Sequence, residues 1–475
     1  MPSRRPRHEP DPTVDLRLAE ADLMRETDPD EALERYATGD PARVAASVAR
    51  LEWICERVRP CPPDRYAAIL EHGAAGPAGR PRRVCLQLLG TLHWYRGRIS
   101  EARRFWLQAI EEGREHRDDL WIKACLNLGL VYSTRGSFFE SYVLTQMSCR
   151  AAEAAGYPYQ LGFGTARVGH LLVSLGDFER AMDTLGDAER IARDIDDPRE
   201  RQVVESSIHK GWGHLHRDRE DWAAAVEVYA QEIETIEDVA AAKQSIVGGA
   251  HMLYWVSRME LEPDRFDEYL TELRALEDRF EFTHEWSRTY HWYVNWYTLQ
   301  HELRRDASSE RVRELCWELL ENIRATPENL RSSKPAVNVG RIYAKIGETN
   351  RARECFDLAA TATMRTIVEA DRAARELPEL AEATPADWAI LAAFRDRLLD
   401  QQSELLDVVA AHWKPGENAF DLIVQDNRIH ACAWCRRVRV GDANWLPIAG
   451  YVPASSEVSV THCMCPDCAD REMDH

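Results

Sequence analysis

The sequence lacks a long apolar run and an excess of positive charge. It contains no 18 consecutive apolar residues, so it predicts no membrane-spanning helix. Its first residues, MPSRRPRHEPDPTV, carry arginines with no apolar segment behind them, so we expect no signal peptide and a disordered lead-in over 1–18. The formal net charge of −20 argues against nucleic acid as a partner, because phosphate binding requires a basic surface. We therefore expect a cytoplasmic protein without membrane or nucleic-acid partners.

The sequence also lacks the short motifs of common catalytic sites. It contains no G-x-x-x-x-G-K-[ST], no H-E-x-x-H and no G-x-S-x-G. The glycine-rich stretch at 162–169 has the wrong spacing for a dinucleotide-binding loop, and no predicted strand precedes it. Acidic pairs recur throughout a chain with 80 acidic residues, so none of them indicates acid–base catalysis. The sequence predicts a protein that is not an enzyme.

Strand-like alternation is scarce from about residue 20 to 413, where a pattern of small and large residues repeats instead. The set Gly90, Gly97, Ala102, Trp106 and Ala109 matches Gly340, Gly347, Ala352, Phe356 and Ala359 at identical offsets. Weaker copies surround Gly129, Gly169 and Gly213. Small residues let two antiparallel helices approach, bulky ones fill the space between pairs, and a turn glycine ends the first helix.

This pattern resembles the tetratricopeptide repeat (TPR), and the copy at 333–366 fits it best. The resemblance implies a mainly α fold, a TPR-like helical-repeat superhelix over 19–366 that is divergent at and before residue 82. Residues 246–326 fit poorly. Glycine spacings of 39, 40 and 44 residues exceed the usual period of about 34. Longer helices of this kind look similar to the repeats of bacterial regulators that sense peptides or partner proteins. A hinge and a linker helix are expected over 367–420.

A basic surface is predicted on the first helices of the repeats. In the repeat alignment, positions around each reference glycine face the concave side, and they carry lysine, arginine, histidine and asparagine but no carboxylate. The residues that we assign to partner binding are Lys123, Asn127, Arg167, Lys210, Arg217, Lys334, Asn338, Arg341 and Lys345. Repeats that clamp a peptide's C-terminal carboxylate look similar at Lys334, Asn338 and Arg341. The alternative is a solvated helix face without a partner.

The segment 286–300, WSRTYHWYVNWYTLQ, places aromatic residues in two helical stripes. One stripe contains Trp286, Tyr290, Tyr293 and Tyr297, and the other contains Trp292 and Trp296. Aromatic side chains bury large areas, which the core of a helical array requires. We expect core packing here, with a partner surface as the alternative.

Five of the twelve cysteines lie within the last 44 residues. Cys432 and Cys435 form one C-x-x-C pair, and Cys465 and Cys468 form another. Each pair can wrap a tight turn around one side of a metal ion, and two pairs complete a closed tetrahedral four-thiolate site. The 29 residues between the pairs add little cost, because loop-closure entropy grows slowly with length. The sequence predicts structural zinc as a cofactor, in a module over 421–475 with short strands.

The order of CAWCRRVRV, NWLPIAGYV and HCMCPDC resembles a small zinc-ribbon-like module at the ends of bacterial signalling proteins. The resemblance implies an association with signalling and little more. Cys463 stands where that family usually has a small residue, and His462 is a competing ligand. The leading hypothesis is an adaptor that binds a protein or peptide segment, whose acidic groups would meet the basic surface. The alternatives are a zinc-thiolate redox sensor and a transcriptional regulator that uses the zinc tail on DNA.

Overall fold

Antiparallel helix pairs build most of this chain in the computed structural model. The structure describes residues 67–76, 78–134, 137–237, 244–280, 284–325 and 333–376, together with parts of 384–398 and 424–469. The helices are α1 (Ala67–Ala74), α2 (Arg80–Tyr95), α3 (Ile99–Gly113), α4 (Asp119–Thr134), α5 (Phe138–Ala155), α6 (Pro158–Ser174), α7 (Phe178–Arg193), α8 (Pro198–Asp218), α9 (Trp222–Glu237), α10 (Gln244–Leu261), α11 (Phe266–Arg274), α12 (Leu276–Arg279), α13 (His284–Arg305), α14 (Glu310–Arg324), α15 (Ser333–Lys345) and α16 (Thr349–Glu376). The predicted TPR-like, mainly α helical-repeat fold is confirmed.

Five of the pairs close where a glycine of the first helix meets a side chain of the second. A Cβ atom added at Gly90 would lie 2.4 Å from the ring of Trp106, and one added at Gly213 would lie 2.4 Å from the ring of Tyr229. Equivalent contacts join Gly129 to Thr145, Gly169 to Leu185 and Gly340 to Phe356, each sixteen residues further along the chain. The constant offset explains why the sequence pattern repeats, because only glycine admits so large a neighbour at this distance.

The first helix of several pairs ends at a residue whose backbone adopts the left-handed conformation, with a positive φ angle. Gly97, Gly176 and Gly347 have φ angles of 70°, 74° and 84°. In each case the next amide donates to a carbonyl five residues earlier, as from Arg98 to His93. This is the usual way for a helix to satisfy its last carbonyl groups. Glu220 occupies the same place at the end of α8, with φ 61°.

The region that fits the repeat poorly has a shortened second helix. After α10, a 3₁₀ turn (Pro263–Arg265) leads to α11 and α12, which have 9 and 4 residues. The aromatic helix α13 then packs into two neighbouring cores. Tyr290 and Tyr297 are buried with α10 and α11, whereas Trp292 and Trp296 pack against the core of α14–α16. The predicted core packing of both stripes is confirmed for these residues.

A segment near the C-terminus packs against α5. Helical residues within 384–398 place Phe394 against Phe138, with ring centroids 6.5 Å apart, and Trp388 against Phe139, at 5.6 Å. The buried carboxylate of Asp387 lies 3.3 Å from Arg150. Thirteen of the 18 residues of α5 are buried, whereas α7 buries four of its 16. Part of the predicted hinge is also helical, since α16 continues to Glu376.

Five short strands follow in one sheet. They are β1 (Val424–Gln425), β2 (Arg428–Cys432), β3 (Val438–Val440), β4 (Asn444–Leu446) and β5 (Ser459–Cys463). The order β1-β2-β3-β4 is antiparallel throughout, and β5 pairs with β2 in parallel. Ile429, Val438 and Val440 belong to the same buried cluster as α5. None of the described helices combines the length and hydropathy needed to span a bilayer.

Candidate functional sites

Three buried cysteines converge at the C-terminal ends of β2 and β5. The parallel pairing of β2 with β5 sets Cys432 opposite Cys463, two residues before Cys465. The Sγ atoms of Cys432, Cys465 and Cys468 all lie within 4.8 Å of one another. A tetrahedral zinc–thiolate site separates its sulfur atoms by about 3.8 Å, given Zn–S distances of about 2.3 Å. The three thiols therefore fit a metal ion of this kind.

The surroundings of the thiols also suit a thiolate. The backbone amide of Cys465 donates to the Sγ of Cys432 at 3.4 Å, and Trp445 packs beside the cluster. Cys463 is half-buried, and its thiol lies 3.8 Å from the carbonyl oxygen of Ala431, outside the group of three. Cys435, the predicted fourth ligand, lies outside the described residues, so the four-cysteine set stays a prediction.

The predicted partner-binding residues are distributed over four first helices. Lys123 and Asn127 lie on α4, Arg167 on α6, and Lys210 and Arg217 on α8. All five are half-buried. We call the surface that they form, together with the side chains on α15 described below, the first-helix surface. Their assignment to partner binding stays a prediction.

Carboxylates lie closer to this surface than the repeat alignment suggests. The Nζ of Lys123 is 3.9 Å from Asp119, and the guanidinium of Arg217 is 2.9 Å from Asp218. Glu232, on α9, faces the charge of Lys210. The predicted positions themselves carry no carboxylate, but neighbouring turns and second helices place acidic groups beside them.

Glu232 is the residue of this region that sequence reasoning missed. It is 1% exposed, and its Oε2 has no hydrogen-bond partner among the described residues. Burial raises its pKa from 4.5 to about 7, and Lys210 opposes that change. The corresponding positions of the other four copies carry Ala109, Ser148, Ala188 and Ala359. The repeat pattern already includes this position as Ala109 and Ala359, so comparing it in the copy around Gly213 would have revealed an acid where small residues are the rule.

The cations of α15 are more accessible than those of α4, α6 and α8. Lys334, Arg341 and Lys345 are exposed, and Asn338 is half-buried between them. Within the described ranges, no carboxylate lies within 4 Å of these three cations. Their side chains are therefore available to an acidic group from outside.

Comparisons with known proteins give a likeness of fold. No protein-family model matches the chain, and no curated protein matches it either. A Rap protein complexed with competence and sporulation factor shares 12% identity over 74% of this chain and 94% of its own, with a TM-score of 0.49. The apo form of the quorum sensor NprR from B. thuringiensis shares 11% identity over 72% of this chain and 97% of its own, with a TM-score of 0.45. The apo form of RapI shares 13% identity over 60% of this chain and 99% of its own, with a TM-score of 0.41.

Proposed function

We propose that this chain is a non-enzymatic adaptor that holds a protein or peptide segment on its first-helix surface, in bacterial signalling or regulation. The observation that carries the proposal is the succession of lysine and arginine side chains on α4, α6, α8 and α15, in a chain with a net charge of −20. Helical-repeat arrays characteristically bind extended segments along such a surface.

The end of the surface on α15 offers the most direct contacts. Lys334, Arg341 and Lys345 would form charge-assisted hydrogen bonds to acidic side chains or to a free C-terminal carboxylate. Asn338, between them, would pair with the backbone of the bound segment. Binding would be fast at low salt and weaker at high salt, because exposed charges are screened.

A pull-down from the native host with cross-linking tests this function. Wild type and the Lys334→Glu/Arg341→Glu variant are compared, with Arg190→Glu/Arg193→Glu on the exposed side of α7 as a charge-matched control. We expect cross-links from the captured segment to α4, α6, α8 or α15, and loss of capture by the first variant alone. Equal capture by all three proteins, or cross-links confined to other helices, would remove the first-helix surface as the binding site.

We also propose that Cys432, Cys435, Cys465 and Cys468 hold one structural zinc ion, in a module from residue 421 that follows the array to 366 and a linker to 420. The proximity and burial of three of these thiols support it. A closed four-thiolate site stabilises a small fold and leaves no position for a catalytic water.

Elemental analysis of the purified protein tests the metal site. About one zinc per chain is expected, and Cys432→Ser or Cys468→Ser should lose it and expose the module to protease. Cys463→Ser is the matched control, since Cys463 lies in the same module outside the group of three thiols. A protein without zinc, or a control as damaging as the two ligand variants, contradicts the assignment.

A further inference from the structure

The last helix of the array packs on a helix near its beginning. α16 contacts α5, although the two helices belong to pairs that lie far apart in the chain. Ala352, Cys355 and Ala359 on one side of α16 pack with α14 and α15. Ala360, which is 0% exposed, belongs instead to the buried cluster that contains α5. α16 therefore has two buried sides, and the described array closes on itself.

This closure covers a helix side that a linear array leaves open. Each unit of a helical-repeat protein packs only on its neighbours, so the last helix needs a cap to bury its outer side. Contact with α5 supplies part of that cap. The contact is short, whereas the helices of a pair such as α6 and α7 lie against each other along their length. No turn connects α5 to α16, so their contact can open while the helix pairs stay folded.

A helical segment that follows the array packs at this closure, and we call its described residues, within 384–398, the clasp. The backbone amide of Thr384 donates to the carboxylate of Asp387 at 2.7 Å, and the amide of Asp387 donates to the hydroxyl of Thr384 at 3.3 Å. This reciprocal cap, with Pro385 directly after Thr384, starts the helix locally. The buried apolar residues of the clasp recur at helical spacing and are Ile390, Phe394 and Leu398.

The clasp is attached to α5 through aromatic and charged contacts. Trp388 packs against Phe139, and the carboxylate of Asp387 lies 3.3 Å from a guanidinium nitrogen of Arg150. The side chain of Asp387 is only 4% exposed, so separation from Arg150 would leave a buried carboxylate without its cation. The apolar residues of the clasp belong to the buried cluster that also contains α5 and Ala360 of α16. The clasp therefore shares one core with both helices of the closure.

We propose that the clasp is a latch that holds the array closed, and that its release from α5 opens the contact between α5 and α16 while the helix pairs stay folded. A helix of this length is marginally stable by itself, so a clasp that leaves α5 loses its helical structure. Opening changes the curvature of the array, and the curvature shapes the surface along which such arrays bind. The inference goes beyond the adaptor function, because it requires no partner.

Hydrogen exchange and small-angle X-ray scattering of the full-length protein test the latch. Exchange reports release of the clasp, because its amides then lose their helical hydrogen bonds, and scattering reports opening of the array as a larger radius of gyration. The variants are Trp388→Ala, which removes a ring packed on α5, and Asp387→Asn, which keeps the shape of the side chain and removes its charge beside Arg150. Trp317→Ala is the matched control, because it removes the same ring from a residue of α14 that is 40% exposed.

Trp388→Ala should speed exchange of the clasp amides by about tenfold or more, because loss of a packed ring weakens the docked state. The radius of gyration should rise with it, while the helical circular dichroism signal stays close to that of the wild type. Asp387→Asn should produce both changes to a smaller extent, and Trp317→Ala should produce neither.

Two results overturn the latch: faster exchange in the clasp with an unchanged radius of gyration, and unchanged exchange in the clasp of both variants. If Trp388→Ala does not fold, the same two measurements on Asp387→Asn decide. Neither measurement involves a captured partner, so the latch and the adaptor function are tested separately.

Discussion

The buried acid Glu232 supplies a sharp prediction about stability and pH. Its side chain is 1% exposed, and its Oε2 has no hydrogen-bond partner among the residues described. Burial raises its pKa from 4.5 to about 7, against the opposing charge of Lys210. The folded state therefore keeps a proton on Glu232 at pH values where the unfolded chain has already released it.

The sign of the effect follows from proton linkage. The folded state binds the proton more tightly, so the contribution of Glu232 is fully present below pH 4.5 and is lost as the pH rises through about 7. Each tenfold change in proton affinity corresponds to about 1.4 kcal/mol, so the total loss is about 3 kcal/mol. Glu232→Gln keeps the shape of the side chain and cannot ionise, so its stability should not include this loss.

Urea unfolding of wild type and Glu232→Gln, at pH 5 and at pH 8, measures the difference. We expect the free energy of unfolding of Glu232→Gln, relative to that of the wild type, to be about 2–3 kcal/mol larger at pH 8 than at pH 5. Glu179→Gln, which replaces an exposed acid of α7, is the matched control and should show no such gain. A gap between wild type and Glu232→Gln that is the same at both pH values would refute the reasoning, because it would mean that Glu232 ionises equally in both states.

Three further predictions concern the packing of the array. Glu220→Gly should raise the free energy of unfolding by about 0.5–1 kcal/mol, since φ is 61° there and the equivalent turns carry glycine; a lower value in urea titration would contradict this. Ala352→Leu should lower the free energy of unfolding by about 1–3 kcal/mol, because Ala352 is 4% exposed at a helix crossing and a larger side chain does not fit there. An unchanged melting temperature would show that the residue does not pack at the crossing. Phe394→Ala should lower the free energy of unfolding by about 3–5 kcal/mol and increase hydrogen exchange in α5, because the ring of Phe394 packs on Phe138 of that helix. Unaltered exchange in α5 would refute the docking of residues 384–398 on it.

The sequence predicts the helix pairs well because their determinants are local. A glycine, its turn and its large partner all fall within about one repeat, so the contacts between Gly90 and Trp106 and between Gly340 and Phe356 leave a periodic trace. The C-x-x-C pairs are equally local, since the two cysteines of each pair are three residues apart. Even the poorly fitting region has a local cause, since α11 and α12 together are shorter than an ordinary second helix.

The contacts that sequence reasoning could not supply join distant parts of the chain. Arg150 and Asp387 are 237 residues apart, and nothing periodic connects them. The parallel pairing of β2 with β5 likewise depends on a long connection rather than on a hairpin turn. His170 on α6, Lys210 on α8 and Glu232 on α9 come from two repeats, so Lys210 influences the other two only when the helices are packed together.

The docking of residues 384–398 on α5 changes what the cysteine module can do. A freely tethered tail would reach a partner independently of the array, and loss of its metal would leave the helix pairs unaffected. Here, Ile429, Val438 and Val440 share one buried cluster with α5, Phe394 and Leu398. Because packed residues in one cluster are energetically coupled, unfolding of the sheet withdraws apolar contacts from the docked segment as well. Removing the proposed zinc ion with a chelator should therefore increase hydrogen exchange in α5 but not in α14. Equal protection of α5 before and after chelation would show that the two parts are independent.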